Sequence, residues 1–195
     1  MARQFQVDWG GVSVPVLGGP LEGNLRRGIC GLDPMWRTEA GEVVFRGADG
    51  DALQCALVID SQGVVGCSWS GEFSPLFDSC ELMFEHGAAW LDVQGWRYAS
   101  IVGAEPSAVA EQFTDMEIDR VASGRLATWW IAPGVRVSST PYLNPRVSSR
   151  PQVIVLVQDE LMVDDVREAV IAAVGPSGEA AFPGDLTVPA VTDVS

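Results

Sequence analysis

Lysine is missing from this chain: its 12 basic residues are all Arg, set against 26 Asp and Glu. The absence excludes a P-loop lysine on nucleotide phosphates, a Schiff-base lysine and the strand lysine of protein kinases. Histidine is nearly missing too, since His86 stands alone. One His cannot complete a Cys2His2 zinc site, and Cys30, Cys55, Cys67 and Cys80 show no Cys-x-x-Cys spacing. They read as buried, reduced thiols of a cytoplasmic protein. No apolar run approaches the ~20 residues needed to cross a membrane, and Met1–Asp8 lacks the charged leader and apolar run of a secretory signal. No complete catalytic motif stands in the sequence, and no cofactor is expected.

What is present in excess is negative charge and tryptophan. The formal charge of −14 makes nucleic acid and anionic membranes poor partners, and favours fast capture of a basic one. Seven Trp stand against two Tyr, and each Trp buries a large area while its N–H needs a partner. With 195 residues and 47% hydrophobic content, a single domain over 1–175 is expected. Residues 176–195, rich in Pro, Gly, Glu and Asp without periodicity, read as a flexible tail.

Residues 5–17 alternate and predict one or two short strands, ended by Gly18-Gly19-Pro20. The stretch through Pro34 reads as irregular. Short strands are predicted at Val43–Phe45, Leu53–Ile59 and Val64–Trp69, the last two as a hairpin turning at 60–63. A helix is predicted to open at Asp78, with Glu81 at capping-box spacing, and to bury Leu82, Met83, His86, Ala89 and Trp90 on one face. A second is predicted from Pro106-Ser107 to Gly124, burying Val109, Phe113 and Met116. Strands follow near 127–131 and 135–139, and then an inner strand at Gln152–Val157, apolar on both faces. A last helix is predicted from about Asp165, with Val166, Val170, Ile171 and Val174 on one face, stopped by Gly175-Pro176. The sum is an α+β domain with a mainly antiparallel sheet and about three helices.

Several residues invite a chemical reading. His86 lacks a nearby nucleophile and acid, and no Gly-x-Ser-x-Gly elbow occurs, so it reads as a half-buried structural residue rather than a general base. Asp49-Gly50-Asp51 lacks the remaining ligands of a calcium loop and reads as a turn. In the second predicted helix, Glu111, Asp115 and Asp119 recur every four residues, an acidic stripe with no Lys to neutralise it. Such a stripe costs the helix a few tenths of a kcal/mol per pair; it reads first as a solvated face, then as a site for a basic partner, and last as a metal site. Trp129 and Trp130 point to opposite faces if they lie in a strand, one into the core and the other toward solvent or a helix. An exposed Trp beside the stripe would anchor an interface.

The passage Leu53–Trp90 resembles a segment of the SUKH-type immunity proteins of bacterial toxin systems. The matching elements are the paired strands Leu53–Ile59 and Val64–Trp69, the segment Glu72–Phe77, and the cap Asp78-Ser79 opening a helix over Cys80–Trp90. The resemblance implies an α+β fold and a non-catalytic inhibitor whose partners are toxin domains. That family opens with helices, whereas 5–17 reads here as strand.

The leading expectation is a cytoplasmic, cofactor-free binding protein that docks a basic protein, a toxin domain being one such partner, through Glu111, Asp115, Asp119, Trp129 and Trp130. The alternative is an enzyme or ligand-binding domain with Asp/Glu and Arg around a Trp-lined pocket. A third is a structural subunit whose Gly/Pro-rich segments 18–42 and 140–151 become ordered on contact.

Overall fold

The computed structural model describes residues 13–15, 26–28, 36–38, 40–41, 43–46, 56–69, 72–142, 148–175, 180–181 and 187–188. Within them the fold is α+β and every strand pairing is antiparallel. A two-stranded ribbon joins β1 (Ser13–Pro15) to β2 (Arg26–Gly28). The second ribbon strand corrects the irregular reading of that stretch; the rest of 5–17 lies outside the described residues. A five-stranded meander follows in chain order: β3 (Trp36–Arg37), β4 (Val43–Arg46), β5 (Ala56–Asp60), β6 (Val65–Trp69) and β7 (Glu72–Phe77). The expected hairpin is β5–β6, and its turn is closed by Asp60, whose Oδ1 accepts the N–H groups of Gln62 and Val64 at 2.8 and 2.9 Å.

The larger sheet has six strands in the order β13, β8, β12, β11, β10, β9. These are β8 (Arg97–Gly103), β9 (Glu117–Ile118), β10 (Thr128–Ala132), β11 (Val135–Thr140), β12 (Gln152–Val157) and β13 (Ala180–Ala181). The apolar run of β12 is an inner strand, as its two greasy faces require. Val153, Val155 and Val157 enter one core with Val163, Val166 and Val170 of the C-terminal helix. Ile154 and Leu156 enter the other with Tyr98, Trp129 and Val93. Burying such side chains contributes roughly 1.5–3 kcal/mol each, before the entropy of ordering them is subtracted.

Three α-helices cover this sheet: α1 (Cys80–Asp92) on one face, α2 (Pro106–Ala110) and α3 (Val163–Val174) on the other. The N-cap of α1 is Ser79, whose Oγ accepts the Leu82 N–H at 3.2 Å, and not Asp78. Asp78 instead accepts the backbone N–H groups of Arg125 and Leu126 at 2.6 and 3.2 Å, tying α1 to the approach to β10. The sequence prediction for α2 is corrected most: the helix ends at Ala110, not near Gly124. Asp115 adopts φ +58°, outside helical space, and β9 then pairs with Trp130 and Ile131. Pairing into the sheet and packing Phe113 and Met116 against its core outweigh continuing a helix whose acidic stripe repels itself. Helix α3 starts before Asp165, after a 3-10 turn at Glu160–Met162 that Asp159 caps, and leaves Ile171 51% exposed rather than buried.

Of the segment 176–195, expected as a flexible tail, residues 180–181 and 187–188 are described, and these four pair with the larger sheet or its approach. Strand β13 pairs with β8, and Val188 is 5% exposed, bonded to Gly95 and Trp96 through its backbone. Periodicity analysis missed it because two strand residues and one buried Val are too short to show a period.

Candidate functional site

The structure does not present the five residues expected at a partner site on one common face. Glu111 is the exposed C-cap of α2, and Asp115 is exposed on the loop that follows. The carboxylate of Asp119 is turned inward to structure: its Oδ1 accepts the N–H groups of Val121 and Ala122 at 3.0 and 3.2 Å. The acidic helix face therefore does not exist. Trp129 and Trp130 do point to opposite faces of β10. Trp129 is 1% exposed inside the α1-side core, while Trp130 is half-buried on the other face against the core that includes Phe113 and Met116. In this conformation Trp129 offers a partner nothing.

His86 is buried more completely than a half-buried structural residue, at 1% exposure. Its Nδ1 lies 3.2 Å from the Ala122 carbonyl oxygen, which can only accept, so the proton sits on Nδ1. Nε2 then accepts from the Ser138 hydroxyl at 3.3 Å. The rings of Phe77 and Trp129 lie at 5.2 and 5.4 Å, and burial holds the His86 pKa down at about 4, so the ring is neutral. A Ser–His pair would ordinarily suggest nucleophilic catalysis. Here Ser138 is 2% exposed, so no substrate reaches it, and the pair is a satisfied polar link between α1 and β11. Cys80 is equally inert: burial, with the Glu81 charge adding to it, pushes its thiol up to about 12.

A concavity of about 550 Å³ lies on the same sheet face, lined among others by Trp96, Asp115, Glu117, Ile131, Arg136 and Gln158. Register explains how these distant residues meet. Glu117 pairs with Ile131, and Ile131 pairs with Arg136, so the three form one row across β9, β10 and β11. Directly paired residues point to the same face. The turn Pro133-Gly134 fixes this register, with Gly134 at φ +73°. Arg136 is anchored on two sides. Its Nη1 donates to the carbonyls of Ala132 and Val135 at 2.5 and 3.0 Å, and its guanidinium carbon lies 5.1 Å from the Trp96 ring centroid. None of the described carboxylates pairs with Arg136, and the side chains of Asp115, Glu117 and Gln158 have no partner among the described residues. The arrangement is a cation held in place, two carboxylates across from it and an aliphatic floor between.

Sequence reasoning passed over Trp96, Glu117, Ile131, Arg136 and Gln158. The available signal was Pro133-Gly134 between two apolar runs, a two-residue hairpin turn that sets Ile131 opposite Arg136.

Beside the concavity, the chain from Glu111 to Val121 leads from the end of α2 into the edge strand β9, which pairs on one side only among the described residues. Glu111, Asp115 and Glu117 are exposed there, with Ile118 at 53% and Val121 at 66% exposure. No group of three or more His, Cys, Asp or Glu among the described residues could hold a metal ion, and no described helix is long and apolar enough to cross a membrane. No protein family, no curated protein and no solved structure matches the chain.

Proposed function

We propose that this chain is a non-catalytic acidic protein that docks a basic protein partner along the 111–121 edge. The observation that carries the reading is the coincidence there of exposed carboxylates, exposed Ile118 and Val121, and a strand edge with no second partner among the described residues. Apolar side chains supply contact area, while backbone groups of an edge strand can pair with an added strand. The charge of −14 steers a cationic partner toward this protein. An immunity protein neutralising a basic toxin in the cytoplasm is the form of this function suggested by the SUKH-like passage at 53–90. In this reading the edge replaces the pair Trp129 and Trp130 as the source of apolar contact, and Glu111 and Asp115 keep their expected role.

The test is affinity purification from native cells at low and raised salt, comparing the native chain with a Glu111→Lys, Ile118→Ser double variant. A basic protein retained near stoichiometry by the native chain, released by salt and lost in the variant, is expected. Equal retention by both would overturn the edge as the site.

A second reading is favoured by the concavity itself. Its volume is within the roughly 300–1,000 Å³ range of small-ligand sites, and it joins Trp, Arg and carboxylates as the ligand-binding alternative requires.

A further inference from the structure

On the ligand-pocket reading, on which this inference rests, the row Glu117–Ile131–Arg136 has a polarity that narrows what could occupy the concavity. At one end stands the guanidinium of Arg136, with one nitrogen on two carbonyls and its other N–H groups without a protein partner among the described residues. A guanidinium so held presents a planar fork suited to a carboxylate. At the other end, Glu117 and Asp115 present two carboxylates and no cation of their own. Neighbouring strands are about 4.8 Å apart, so Glu117 and Arg136, two strands apart, are separated by roughly 10 Å at the backbone. Ile131 fills the interval. No ion pair joins the two ends among the described residues.

Each simple ligand class fails one part of this arrangement. A phosphate or other multiply charged anion would meet Arg136 but be repelled by two carboxylates for one cation. A plain diamine would satisfy the acidic end and place its second ammonium against Arg136. A neutral sugar would leave the charges unmatched, and the Trp96 ring face it would stack on is taken by Arg136.

We propose that the concavity binds an ω-amino carboxylate: a zwitterion whose carboxylate meets Arg136, whose ammonium meets Glu117 and Asp115, and whose methylene chain lies over Ile131. A lysine at a polypeptide C-terminus presents the same chemistry, a carboxylate and an ε-ammonium across an aliphatic stem. Gln158, exposed on the rim, supplies an amide able to bond either end. Glu111 and Ile118, the positions that test the protein partner, lie outside this row, so the two sites can fail separately.

The experiment is titration of the full chain with 6-aminohexanoate, cadaverine, hexanoate and maltose, followed by the Trp96 indole N–H signal in NMR spectra, assigned with a Trp96→Phe variant. Saturable shifts with 6-aminohexanoate are expected in the millimolar range or below, at least about tenfold tighter than with cadaverine or hexanoate. Glu117→Gln and Asp115→Asn, both at exposed positions, are expected to weaken 6-aminohexanoate about tenfold together and not to weaken hexanoate. Arg136→Gln should abolish the preference over cadaverine; should that variant unfold, the Glu117 and Asp115 variants decide alone. A further arm compares Nα-acetyl-lysine with its amide: binding of the acid alone marks a chain terminus as a source, while binding of 6-aminohexanoate without either marks a free small molecule. Equal or tighter binding of cadaverine, hexanoate or maltose would overturn the zwitterion and leave the ligand pocket standing. No shift with any probe would overturn both.

Discussion

At the scale of single residues, burial decides which polar groups matter. His86 is neutral because the ring is sealed between Phe77, Trp129 and Ser138, and its pKa falls from 6.5 to about 4. The unfolded chain takes up this proton near pH 6.5 and the folded chain does not until near 4, so His86 makes folding less favourable as pH falls through that window. Between pH 7.5 and 5.5 the expected loss is about 1 kcal/mol, read as a shift in urea midpoint, and a His86→Leu variant should lack this increment. Asp78 and Arg125 make a second contrast. Asp78 accepts two backbone N–H groups and is the half-buried partner of the ion pair, whereas the Arg125 side chain is 76% exposed. Asp78→Ala should cost about 1–3 kcal/mol by leaving those donors unpaired, while Arg125→Ala should cost less than about 1 kcal/mol. Similar losses from both variants in denaturant titration would mean that the ion pair, not the backbone bonds, holds the two elements together.

At the scale of elements, the sequence was legible where a period had room to declare itself. The two-sided apolar run of β12, the β5–β6 hairpin and the core face of α1 all follow from alternation, turn chemistry or helical spacing. It was illegible where tertiary pairing overrode a good local pattern. The stretch after Ala110 carries helical spacing in Phe113 and Met116, yet ends as a loop and an edge strand because Trp130 and Ile131 offer it a partner. Strand β8, Arg97–Gly103, was missed because Arg97 and Ser100 interrupt its apolar residues. The candidate concavity stayed hidden for the same reason: its residues meet through register across three strands, not through proximity in the chain. One element carries a sharp sequence constraint, at Gly66 in β6. A Cβ there would stand 2.3 Å from the Ser74 carbonyl oxygen and 2.6 Å from the Phe73 ring, beside the irregularity between Val65 and Gly66. Gly66→Ala should therefore destabilise the meander by about 1–3 kcal/mol despite the better strand conformation of Ala. An unchanged thermal midpoint would mean that β6 and β7 separate at little cost.

At the scale of the whole molecule, the six-stranded sheet closes its two edges differently, and this bears on where partners go. The β9 edge is short and carries acidic and apolar side chains, while β8 is covered by β13. Beyond β13, Thr187 bridges to Arg97, and Val188 donates to Trp96 O at 2.7 Å and accepts from Gly95 N–H at 2.9 Å. Trp96 is also the ring beneath Arg136, so the C-terminal segment props the loop that shapes the concavity. Ending the chain at Gly175 should then do two things. It should cost about 2–4 kcal/mol, from the buried Val188 and its backbone bonds. It should also expose the outer groups of β8, so that amide exchange quickens at the one of Ile101 and Val102 whose N–H faces β13, and the shortened chain self-associates on sizing columns as concentration rises. Should the shortened chain keep its urea midpoint and its exchange protection, the docked segment would be an ornament of the fold. Should it lose both while α1 and β10–β12 stay protected, Ala180, Ala181, Thr187 and Val188 are a cover whose work is to close one edge, β9 being the edge with a single partner among the described residues.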